Sequence, residues 1–117
     1  MKIEYEPGGI CVLRVSGIWK RSEFGAGQDE IADKIDAGAR PRVLAILENF
    51  EGWERGADWN DLEFLFSHSD KIAKIAIVGD PRWQLQALAF GGAGVRRAPV
   101  RFFPPEDLVA ARAWLAG

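Results

Sequence analysis

Apolar and polar residues alternate from the start of the chain. In "KIEYE" (2–6), Ile3 and Tyr5 fall on one side and Glu4 and Glu6 on the other, the period of a half-buried strand. "PGG" at 7–9 is turn chemistry. "ICVLRVSG" (10–17) then sets Cys11, Leu13 and Val15 on one face against Val12, Arg14 and Ser16 on the other. The two runs predict an opening hairpin. Ser22 can cap a helix running to about Ala37, in which Phe24, Ile31 and Ile35 recur at near-heptad spacing and Gly38 follows the last turn. Gly25 and Gly27 weaken its start. "VLAIL" (43–47) and "KIAIVG" (74–79) are continuous apolar runs, as in strands covered on both faces. Between them, Asp58 offers an N-cap for a helix with Trp59, Leu62, Leu65 and Phe66 as its stripe.

"DP" at 80–81 predicts another helix, with Asp80 as N-cap and Pro81 in the first turn, holding Leu85 and Leu88 and stopping near Gly91. "VRFF" (100–103) reads as a last strand, and Glu106 and Asp107 lead a final helix with Leu108, Ala111 and Leu115 inward. The order is β-β-α-β-α-β-α-β-α. Strands alternating with helices imply an α/β fold with a mostly parallel sheet, the first strand antiparallel. No internal repeat or linker interrupts residues 1–117, so one domain is expected.

Composition adds limits more than content. A chain of 117 residues with 48% hydrophobic and 27% charged residues suits one folded core. A formal net charge of −2 gives no electrostatic reason to expect nucleic acid. The single cysteine, Cys11, cannot form an internal disulfide and suits a reducing, cytoplasmic setting. No secretory leader is apparent after Met1, and no apolar run approaches the length of a membrane span.

Parallel strands send their following loops to one end of the sheet, the usual ligand crevice of open α/β sheets. Trp19 follows the second strand, Trp53 and Trp59 the third, and Trp83 opens the helix after the fourth, so four of five tryptophans map to one rim. They form either an aromatic-lined ligand or docking patch or a plug over the helix ends. Trp19, Trp53, Trp59, Asp80 and Trp83 are the expected site residues, with Asp80 fixing the helix start beside the aromatics. Trp59 belongs to a buried stripe, which leaves Trp53 as the exposed contact.

Other candidates are weaker. His68 lacks a second histidine or a cysteine motif, Asp58, Asp61 and Glu63 are explained by capping and helix spacing, and Cys11 alternates with core residues. "GGAGVRR" (91–97) precedes a strand, whereas a phosphate cradle opens a helix. No nucleophile, base and oxyanion hole assemble. No catalytic residue, metal or cofactor is expected, and the reading is against an enzyme.

Three segments, "FEGWERGADWNDLEF", "HSDKIAKIAIVGDPRW" and "VRFFPPEDLVAARAWL", together with "VSGIWKRSEF", resemble the SpoIIAA-like proteins of the STAS superfamily across nearly the whole chain. The resemblance implies strand–helix turns wound in one direction, with helices mainly on one face of a mixed sheet. Since "VLAIL" and "KIAIV" are apolar on both faces, the helix-free face would need a cover, and a homodimer is expected. Relatives include anti-sigma-factor antagonists switched by phosphorylation of a serine after the third strand. The matching "GADWNDLEF" has neither serine nor threonine, so that switch does not carry over. A fold-level likeness to CRAL-TRIO domains implies a small hydrophobic or lipid ligand. The expected function is a non-enzymatic binding or regulatory module for such a ligand or for a protein partner. Its alternatives are an antagonist-like regulator without the phospho-switch and a purely self-associating structural domain.

Overall fold

The computed structural model describes residues 1–57, 68–92 and 98–117. Its elements are β1 (Lys2–Glu6), β2 (Ile10–Trp19), α1 (Arg21–Asp36), β3 (Arg42–Trp53), β4 (Lys74–Val78), α2 (Gln84–Phe90), β5 (Val100–Phe103) and α3 (Leu108–Ala116). The five strands form one sheet in chain order. β1 runs antiparallel to β2, and every later pair is parallel. This is the expected α/β mixed sheet. The helix expected from Asp58 through Trp59, Leu62, Leu65 and Phe66, with Asp61 and Glu63, lies outside the described residues, as do Arg96 and Arg97.

Alternation along each strand divides the core in two. Cys11, Leu13 and Val15 of β2, Val43, Ala45 and Leu47 of β3, and Ile75 and Ile77 of β4 bury against Ile31 and Ile35 of α1 and Ala87 of α2. On the opposite face Val12, Leu44, Ile46, Ala76 and Val78 pack under Ala111 and Leu115 of α3. That second layer corrects the idea of an apolar face awaiting a cover. Leu44, Ala76 and Leu115 are fully buried within one copy of the chain, so the argument for a homodimer loses its premise there.

Several boundaries differ from those the sequence suggests. β2 continues to Trp19 and β3 to Trp53, beyond the apolar runs. The pairing survives by bulging: the β2–β3 register shifts on either side of Gly17, and Gly17 has φ 67. In β3, Asn49 takes a left-handed φ of 47 and Gly52 one of 113. The polar residues Glu48, Asn49 and Glu51 are therefore part of the strand. Helix α1 starts one residue before Ser22, and its N-cap position, Lys20, makes no side-chain cap. The backbone amide of Arg21 instead donates to Glu54 Oε1 at 2.9 Å, so the residue following β3 serves as a remote cap for α1. Gly38, with φ 103, follows the helix as expected.

The Asp80 cap is present: its Oδ1 accepts from the Arg82 amide at 2.9 Å. The first turn, Pro81–Trp83, is a 3₁₀ turn, which shifts the phase of α2. The inward stripe becomes Trp83, Ala87 and Phe90, while Leu85 is 84% exposed.

Candidate functional site

Two of the expected aromatics end adjacent strands. Trp19 closes β2, Trp53 closes β3, and the two are register partners across the parallel pair. Both side chains join the α1/α2 face, as does Trp83 from the turn before α2. Phenylalanines link them into one cluster. Trp19 meets Phe24 at 5.3 Å and Phe90 at 5.1 Å between ring centroids. Trp53 meets Phe90 at 5.3 Å, Phe50 at 4.9 Å and Trp83 at 6.0 Å. Most of these contacts are edge-to-face, each worth about 0.5–1.5 kcal/mol beyond the area buried. Gly52 lies against the Trp83 ring, and its φ of 113 is what calls for glycine there.

The cluster is internal more than external. Trp19 is 3% exposed, and Trp53 and Trp83 are half-buried. The indole Nε1 atoms of Trp19, Trp53 and Trp83 are all buried and make no hydrogen bond. Ring packing must offset that loss, which is about 1–3 kcal/mol for an unsatisfied buried donor. Trp53 is thus not the freely exposed contact the sequence suggested. Trp59 lies outside the described residues, and Trp114 packs on the opposite face against Phe103.

Two spaces adjoin these rings. The first is a cavity of about 80 Å³ between the sheet and helices α1 and α2. Its described walls are Leu13, Val43, Ala45, Leu47, Ile75 and Ile77 from the strands, Phe24, Gln28 and Ile31 from α1, and Ala87 and Phe90 from α2. Trp19, Trp53, Ile72 and Gly91 complete it. No charged side chain is among them, and Gln28 is the only polar non-aromatic one. The second is a cleft of about 580 Å³ beside the second half of β3 and the carboxyl end of β4, lined by Glu48, Asn49, Asp80, Arg82, Trp83 and Leu108 among others. The expected site residues therefore divide: Trp19 and Trp53 wall the cavity, while Asp80 and Trp83 border the cleft.

Gln28 was missed by the sequence reading. The signal was present, because residues 24, 28, 31 and 35 follow helical i, i+4, i+7 spacing. Gln28 interrupts an otherwise apolar stripe.

The chemical candidates sit elsewhere. Burial pushes the Cys11 thiol up to about 11, helped by the nearby Glu30 carboxylate, so it stays a neutral core group. His68 Nε2 lies 3.0 Å from Asp36 Oδ1 at the end of α1, and His68 lines neither cavity nor cleft. Among the described residues, no three His, Cys, Asp or Glu side chains group in a way that could hold a metal ion. No helix among them is long and apolar enough to cross a membrane.

Comparison with known proteins places the fold. The SpoIIAA-like family model matches residues 10–116. A crystal structure of an uncharacterized protein of the DUF3478 family with a SpoIIAA-like fold, from Shewanella loihica PV-4, superposes with a TM-score of 0.68 at 21% identity. The match covers 97% of this chain and 90% of that one. No curated protein matches the chain.

Proposed function

The chain belongs to the SpoIIAA-like family, and on that premise we propose that it is a non-enzymatic binding module whose aromatic-walled cavity takes a small apolar ligand. The observation that carries this reading is the cavity itself: an apolar space of about 80 Å³ between the sheet and helices α1 and α2, where protein interiors are usually close-packed. Leaving such a space empty forfeits dispersion contacts on every wall, and an apolar occupant restores them. The neutral, buried Cys11 and the Asp36-paired His68 give no alternative based on reaction chemistry.

Size decides the ligand class. Drug-sized ligands occupy about 300–1,000 Å³, and an engineered apolar cavity of about 150 Å³ takes benzene. A volume of about 80 Å³ suits a short branched chain or part of a small ring, and it is too small for a lipid tail. A partner-binding reading rests on the cleft instead, where Glu48, Asp80 and Arg82 flank Trp83 over a larger space. Self-association has no comparable observation, because α3 covers the face that suggested it.

The test uses 2-methyl-1-butene as probe, followed by tryptophan fluorescence. Saturable change is expected in the native protein. Ala45→Val, which adds two methyl groups to a cavity wall 5% exposed, should weaken binding at least about tenfold while the thermal midpoint stays within a few degrees. Equal affinity in the variant would sink the cavity reading.

A further inference from the structure

The cavity wall carries one side chain that its apolar packing does not explain. Gln28 stands on α1 one turn from Phe24 and just before Ile31, both of which line the same space. It is half-buried and lines the same space as the apolar side chains around it. A leucine or methionine there would complete the stripe. A glutamine keeps a group that can donate and accept at once.

Two described cations lie over rings of the aromatic cluster and off the cavity's described walls. Arg21 lies over the Phe24 ring at 5.6 Å from its centroid, and Arg82 over the Trp83 ring at 5.2 Å. Neither is among the described walls, and no described acidic side chain is either. A charged ligand group placed against those walls would lose its hydration with no counter-charge from them in return. An uncharged group would lose less, and Gln28 can answer it with a hydrogen bond.

We infer that the ligand is a small uncharged molecule with an apolar body and one neutral hydrogen-bonding group, such as a carbonyl or hydroxyl, and that Gln28 anchors this group. The inference rests on the cavity being the binding site and adds the polarity of what enters it. Gln28 is thereby a specificity-determining residue: the aromatic and aliphatic walls measure size, and the carboxamide selects against plain hydrocarbons.

Two probes of one shape separate the two parts. 2-Butanone and 2-methyl-1-butene share a five-atom skeleton and differ by C=O in place of C=CH₂. A wall without a polar anchor would bind the ketone about tenfold more weakly, because its carbonyl gives up water and gains nothing. With Gln28 donating to that oxygen, the native protein is expected to bind the ketone at least as tightly as the alkene. Gln28→Met, which keeps the side-chain length at a half-buried helix position, should lower the ketone-to-alkene affinity ratio about three- to tenfold. Ligand-detected NMR titration reads both probes in both proteins. Alkene binding with a tenfold weaker ketone in the native protein would overturn the anchor and leave the cavity standing. A ketone-to-alkene ratio unmoved by Gln28→Met would overturn it as well. Binding of neither probe would remove the cavity reading and this inference together.

Discussion

Trp19→Ala is expected to lower the unfolding free energy by about 3–5 kcal/mol, the range for truncating a buried large aromatic. Trp19 is 3% exposed and packs against both Phe24 and Phe90. Those two rings also touch each other, with centroids 4.9 Å apart. Removing the indole therefore opens a hole among side chains from β2, α1 and α2 at once. The same residue walls the existing cavity, so the two voids would merge, and collapse around them is limited by the sheet. Trp19→Phe should cost far less. It keeps an aromatic body and deletes an indole N–H that makes no hydrogen bond. Urea unfolding of both variants checks the pair, and a loss under about 1 kcal/mol for the alanine variant would contradict the packing described.

The second large effect belongs to the other face. Leu115→Ala is expected to cost about 2–5 kcal/mol, because Leu115 is 0% exposed and is packed with Leu44 and Ala76, which are also 0% exposed. α3 is a nine-residue helix, too short to hold its shape without packing. Its one-turn partner Ala111 offers little apolar area, so Leu115 supplies much of the grip on the sheet. A full loss of α3 would expose Val12, Leu44, Ile46 and Val78 together, and the variant should gain a tendency to associate as it weakens. Urea unfolding with light scattering reads both effects. A change under about 1 kcal/mol would mean that α3 does not cover this face.

The strands were legible because their chemistry is one-dimensional. "VLAIL" and "KIAIV" name buried strands wherever the rest of the chain goes, and the β1–β2 hairpin follows from alternation around "PGG". The ends of β2 and β3 were not, since beyond Leu47 the strand presents Glu48, Asn49 and Glu51 to solvent and bends at left-handed Asn49 and Gly52. Polar composition and a bend look like a loop in sequence. The phase of α2 was hidden for a related reason. A 3₁₀ turn packs three residues per turn, so Pro81–Trp83 rotates the following stripe and turns Leu85 outward.

At the site, the tryptophan positions followed from topology alone, and Trp19, Trp53 and Trp83 fall in one cluster, Trp19 joining Trp53 through Phe90. Their burial did not follow, because a strand end can point a side chain under a helix as readily as into solvent. The final helix illustrates the same limit. Ala111 and Leu115 were read as inward-facing, yet which face of the sheet they would cover depends on how the chain leaves an edge strand, and periodicity carries no record of that. Gln28 was readable as a break in a stripe, but only the cavity beside it gives the break a meaning.

The most direct measurement is a crystal structure of the protein under xenon pressure. Xenon enters apolar cavities without needing a hydrogen bond, so it tests the space independently of Gln28. The account predicts one ordered xenon atom between Ala45, Trp19, Trp53 and Phe90, with the walls shifted little. Closed walls and xenon found only at the surface would contradict it.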